Sequence, residues 1–227
     1  MPGNEQNLDL AQSLRRTGIN VLTLHYSGSW GSDGRFSFSN CIEDAKTALD
    51  FLCSGENPDK YLIDTGRIYI IGHSMGAFLT LYLTAALPHI AGAMALSVYD
   101  FGFTQRMILE KAPAMQSALD EAMNSNAMWL NCDGAALSAE LKQKCEDFDL
   151  EKKAEALSKI PLLIVTADRD EISVPKRHGK RLFEAISAFG RNMAVYKTID
   201  SNHGFTDRRI ELINIVADQM EIWLGKR

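Results

Sequence analysis

The chain has 227 residues, 46% hydrophobic and 23% charged, close to the average of soluble globular proteins, which excludes a disordered or collagen-like polypeptide. Its net charge of −5 carries no basic excess and argues against nucleic acid as a partner. No apolar run approaches the roughly 18 residues that a membrane helix needs, so no membrane span is expected.

In chain order, the first helical pattern covers Asn7–Arg16 and is followed by an apolar run, Ile19–His25, that reads as a strand. A helix is predicted over Ile42–Cys53, then a strand at Arg67–Gly72, a helix at Ser74–Leu87 and a strand at Ala91–Val98. After a long interval come a strand at Pro161–Thr166, a helix at Lys176–Phe189 and a strand at Met193–Ile199. The last helix, Asp207–Leu224, places Ile210, Ile213, Val216, Ala217 and Met220 on one stripe. The predicted strands are apolar almost throughout, as parallel strands covered on both faces are. Alternation of such strands with helices predicts an α/β fold, a doubly wound, mostly parallel sheet.

Residues 100–159 break the alternation with three or four helical pieces and no strand. One begins at Pro113, another covers Ser138–Phe148, and five methionines lie between Met94 and Met128. The expected organisation is a core of residues 1–99 and 160–227 carrying a helical lid inserted at 100–159. Met1-Pro-Gly-Asn-Glu5 lacks the basic start and apolar core of a signal peptide. The four cysteines (Cys41, Cys53, Cys132, Cys145) show no C-x-x-C spacing, so a cytoplasmic protein with reduced thiols is expected.

The chemistry concentrates at predicted strand ends. Gly72-His-Ser-Met-Gly76 matches G-x-S-x-G, and it follows one strand directly and opens an apolar helix, the setting of a nucleophile elbow. Its glycines are expected to relieve close backbone approaches in a sharp turn that lifts the Ser74 hydroxyl above the sheet. A serine needs a base, and of five histidines only His203, in Asp200-Ser-Asn-His-Gly-Phe205, lies between the last strand and the last helix. The base needs a carboxylate to fix its tautomer. Two compete after the strand Pro161–Thr166: Asp168, nearer the strand, and Asp170, further into a loop that Pro175 limits, with Asp170 preferred. No P-loop or G-x-G-x-x-G is present, and His203 with Asp207 makes too small a set for a metal site. Trp30, Phe36 and Phe38 are candidates for a substrate pocket, although such aromatics more often pack beneath a loop.

The order Ser74, Asp170, His203 and the elbow GHSMG resemble the α/β-hydrolase superfamily. TADRDEISVP is similar to its acid loop, whose spacing from Ala167 again favours Asp170, and SNHGF is similar to its histidine loop. Tyr26-Ser-Gly-Ser-Trp-Gly-Ser-Asp-Gly34 resembles a loop of peptidase- and esterase-like members. The resemblance implies a serine hydrolase that cleaves a small ester, thioester or amide through an acyl-enzyme, with no cofactor and no metal. The alternative is a non-catalytic binding protein of the same fold, or a fragment inactive because a His-Gly oxyanion loop is absent.

The resemblance also implies a His-Gly-x-Pro loop, of which Met1-Pro-Gly looks like the tail, with Met1 at one oxyanion-donor position and the Met75 backbone N–H as the other donor. The expectation is a chain whose N-terminal strands are missing, leaving a gap in the sheet beside Ile19–His25 and the first forty residues weakly anchored.

Overall fold

Apolar runs and amphipathic stretches fold in the predicted alternation, with one departure near the start. The computed structural model describes residues 7–127 and 129–225. In chain order the elements are α1 (Leu8–Arg16), α2 (Phe38–Cys53), α3 (Asn57–Tyr61), β1 (Ile68–His73), α4 (Met75–Ala86) and β2 (Ile90–Leu96). Then follow α5 (Phe101–Lys111), α6 (Gln116–Ala127), α7 (Gly134–Phe148), α8 (Ala154–Leu157), β3 (Leu162–Ala167), α9 (Gly179–Ser187), β4 (Ala194–Ile199) and α10 (Arg209–Trp223). Among the described residues no helix is long and apolar enough to cross a membrane.

The described chain divides into two compact units, one of residues 7–23, 66–99 and 154–225, the other of residues 24–65 and 100–153. The first holds a parallel sheet in the order β1-β2-β3-β4. Helices cover both of its faces. Met94, Leu96, Leu163 and Val165 point to a core closed by Leu10 and Leu14 of α1 and by Leu212, Val216 and Met220 of α10. The alternate strand residues face the other way, where α4 packs on β1 and β2, and α9 on β3 and β4. Gly179 lies so close to β3 that a Cβ there would stand 2.4 Å from Thr166 Cγ2.

The segment predicted as a first strand joins no ladder among the described residues. Ile19 and Val21 pack against the sheet core, whereas Leu22 is 53% exposed. The alternation of apolar residues decides which side chains turn inward; a strand also requires a neighbour's N–H and C=O groups, and β1 pairs only with β2 among the described residues. The segment before it is better held than expected. Leu10 and Leu14 are buried, and Asp9 forms a two-pronged ion pair with Arg209 at 2.8 and 2.5 Å.

The helical unit has its own core. Phe38 packs against Phe36, Phe101 and Phe148 at ring-centroid distances of 6.5, 4.8 and 6.2 Å. Asp100 caps α5 by accepting from the Phe103 N–H, and Asp133 caps α7 through the Ala135 N–H. Ser37 caps α2, which therefore starts four residues before the predicted Ile42. Glu140 of α7 accepts from the Phe38 and Ser39 N–H groups at 2.9 and 2.8 Å, filling the N-terminus of α2 with a negative charge.

Candidate active site

The turn between β1 and α4 is tightly constrained. Ser74 has φ 55° and ψ −114°, a left-handed conformation that a residue with a Cβ adopts at a cost. Its N–H donates to the Leu96 carbonyl at 2.8 Å, and its own carbonyl accepts from Ala77 and Phe78 as α4 begins. The two elbow glycines differ. A Cβ on Gly72 would stand 2.1 Å from the Gly76 carbonyl oxygen, so only glycine fits, while a Cβ on Gly76 would meet nothing within 4 Å. The steric demand expected of both therefore falls on Gly72 alone.

The loops after β3 and β4 deliver two more side chains to this turn. The Ser74 hydroxyl donates to His203 Nε2 at 2.9 Å, and His203 Nδ1–H donates to Asp170 Oδ2 at 2.8 Å. The carboxylate partner fixes the tautomer, because an ionised carboxylate only accepts. Asp170 is fully buried at its side chain, and its other oxygen accepts from the Ile172 and Ser173 N–H groups at 2.9 and 2.7 Å. Burial works against its charge, yet the bonds from His203 and the Ser173 amide hold its pKa below the ordinary carboxylate value. Asp168 is exposed and accepts instead from the Thr198 hydroxyl.

Met75 is the first residue of α4, so its N–H is one of the amides that a helix leaves for a ligand or cap. Met1, expected as the second donor, lies outside the described residues. Trp30 and Phe36, expected at a substrate pocket, belong to the helical unit. Phe36 is 3% exposed and its ring is spent on packing against Phe38, whereas Trp30 is 39% exposed with φ 49°.

One further side chain at the turn escaped the sequence reading. His73 Nε2–H donates to the backbone carbonyl of His203 at 2.7 Å, and the two rings lie 4.8 Å apart. Burial, the largest influence, lowers its pKa to about 4, so it stays neutral and keeps this donor. Its partner is a carbonyl 130 residues away, which leaves no local signature. His178 is also buried and lowered to about 4, and it stacks on Tyr99 with ring centroids 4.6 Å apart.

The arrangement sets a hydroxyl, an imidazole and an ionised carboxylate in the order that can take a proton from Ser74 as it attacks a carbonyl.

Comparison with known proteins adds three findings. The sequence model of one family, serine aminopeptidase S33, matches residues 5–147, more than half of the chain and inclusive of the elbow. The alpha/beta hydrolase domain-containing protein WAV2 of Arabidopsis thaliana is 36% identical over 83 residues, 37% of this chain and 25% of that protein, so the match spans a quarter of the curated relative's length. Among solved structures, an esterase from Pyrococcus furiosus superposes with TM-score 0.68 at 19% identity, covering 97% of this chain and 76% of that one. A monoacylglycerol lipase from Paleococcus ferrophilus does so with TM-score 0.62 at 17% identity, covering 95% and 90%. At these identities the likeness is one of fold.

Proposed function

The chain belongs to the serine aminopeptidase S33 family of α/β-hydrolases, and from that membership and the geometry at Ser74 we propose that it is a serine hydrolase of small carboxylic esters, thioesters or amides. Ser74 Oγ attacks the substrate carbonyl carbon while His203 Nε2 takes its proton. Asp170, held ionised, stabilises the imidazolium that results. The negative charge that develops on the carbonyl oxygen is met by the Met75 N–H, backed by the N-terminal end of α4. The tetrahedral intermediate collapses as His203 returns the proton to the leaving group, leaving an acyl group on Ser74. Water then enters and its oxygen attacks the acyl carbon as His203 Nε2 takes its proton. The bond from that carbon to Ser74 Oγ breaks as His203 returns the proton to Oγ, which releases the acid and the free serine. Each step uses only groups of the chain and water.

The observation that carries this reading is the unbroken relay, 2.9 Å from Ser74 to His203 and 2.8 Å from His203 to Asp170, built on a strained turn. Ester substrates come first, because two structural neighbours are named as an esterase and a monoacylglycerol lipase. The test is hydrolysis of p-nitrophenyl esters of rising acyl length beside aminoacyl p-nitroanilides, with Ser74→Ala in parallel. The expected outcome is turnover of short esters that falls below about one per cent in the variant. Equal turnover by Ser74→Ala refutes the assignment, and a folded chain inert to every substrate favours a binding protein.

A further inference from the structure

The loop that carries His203 begins at Asp200 and ends at Asp207, and a single guanidinium grips both ends. Arg169, the residue immediately before Asp170, donates from Nε to Asp200 Oδ1 at 2.7 Å and from Nη2 to the Asp200 carbonyl at 3.0 Å. The same Nη2 reaches Asp207 Oδ2 at 2.5 Å, and the other Asp207 oxygen accepts from the Ser201 hydroxyl. Backbone bonds extend the register of β3 and β4 into the two loops: Asp168 N–H to the Ile199 carbonyl at 2.8 Å and Arg169 N–H to the Ser201 carbonyl at 2.9 Å. The loop is thus closed on itself by the neighbour of the residue that His203 must meet.

We infer that Arg169 is a positioning residue, a clasp that holds the histidine loop on the acid loop and so sets the Asp170–His203 bond. The inference rests on the proposed hydrolase reading. A lysine would not substitute fully, because a point charge cannot reach two carboxylates and a carbonyl as a planar fork does. The ionised state of Asp207, held near a pKa of 2 by the Ser201 hydroxyl and then by Arg169, keeps the clasp charged across the working pH range.

The clasp is open to solvent: Arg169 is 55% exposed, Asp200 71% and Asp207 43% at their side chains. Exposed ion pairs add little to global stability and are screened by salt. That separates a positioning role from a structural one, since catalysis should suffer where the melt does not. His73 and Arg209, which donate to the His203 and Gly204 carbonyls, remain as tethers, so the loss should be partial.

The experiment compares wild type, Arg169→Lys and Arg169→Ala in kcat and KM for a neutral ester and in the rate of Ser74 modification by a fluorophosphonate, at low salt and at about 1 M KCl, beside thermal melts. The expected result for Arg169→Ala is a kcat and modification rate lowered about tenfold, with KM and melting temperature nearly unchanged. Arg169→Lys should fall between, and high salt should slow wild type toward the variant while leaving Arg169→Ala unaffected. Wild type and Arg169→Ala reacting equally fast overturns the clasp alone, as does a loss of rate that tracks a loss of melting temperature. A wild-type chain that neither turns over nor is modified overturns the hydrolase reading, and the clasp with it.

Discussion

The two flanks of the sheet are built to different standards. On one side β3 is buried from Leu162 to Ala167, paired with both neighbours, and followed by loops that back up each other's hydrogen bonds. On the other side β1 has a ladder with β2 only among the described residues, and residues 19–23 form no strand, with Ile19 and Val21 packed inward and Leu22 exposed. The comparison separates two things that usually come together. Side-chain packing and backbone pairing are independent constraints, and a segment satisfying the first without the second is not a strand. Ser74 stands at the end of β1 and His203 after β4, each paired on one side among the described residues, while Asp170 follows β3, which is paired on both. They are joined by the bond from the Ser74 N–H to Leu96, by His73 donating to the His203 carbonyl, and by the relay itself.

The largest expected effect tests whether the relay spans both flanks as one unit. Ser74→Ala and His203→Ala should each reduce kcat by at least about a thousandfold, and the double variant should lose little more. Asp170→Asn should lose about ten-thousandfold, while Asp168→Asn, whose carboxylate is exposed on the Thr198 hydroxyl, should stay within a few-fold. Steady-state kinetics on one ester reads all five variants. Next comes the turn. Gly72→Ala drives a methyl into the Gly76 carbonyl and should cost more than about 4 kcal/mol or prevent folding, whereas Gly76→Ala should shift stability by no more than about 1 kcal/mol in urea titrations.

A third effect comes from protons. His73 and His178 are both lowered from 6.5 to about 4 by burial, so between those pH values the unfolded chain binds protons that the folded chain refuses. Stability is then complete above pH 6.5 and is lost as the pH falls toward 4, by a few kcal/mol in all. Replacing both with uncharged residues should flatten the urea midpoint across that window, and an unchanged slope would contradict the burial argument. The smallest effect contrasts the flanks directly: Leu163→Ala should cost about 2–5 kcal/mol and Leu22→Gln no more than about 0.5.

The sheet was legible because each of its strands is an apolar run too short for a helix and flanked by turn residues; β1 to β4 fall within two residues of their predicted bounds at either end. The false strand at 19–25 has the same composition, since periodicity reports the face of a side chain and not the presence of a ladder. α5 left a weak signal because its buried stripe runs through a glutamine, Gln105, and a glycine, Gly102, pressed against the α7 end. The three residues that the structure joins at the site were readable for a chemical reason: a serine at a strand end restricts which base and acid can serve it, and the chain offers five histidines and, just after the strand Pro161–Thr166, two aspartates. His73 and Arg169 were not readable. Their partners are backbone carbonyls and carboxylates 31 to 130 residues away, which no spacing rule encodes.

The central claim is that the strained turn at Ser74 holds an activated nucleophile. Intact-mass analysis after treatment with a fluorophosphonate tests it most directly, on the native chain, on Ser74→Ala and on the chain unfolded in urea. The account predicts one adduct on the native chain, located at Ser74 by peptide mapping, and none on the other two samples. A folded native chain that gains no adduct, or an adduct that persists in Ser74→Ala, would contradict it.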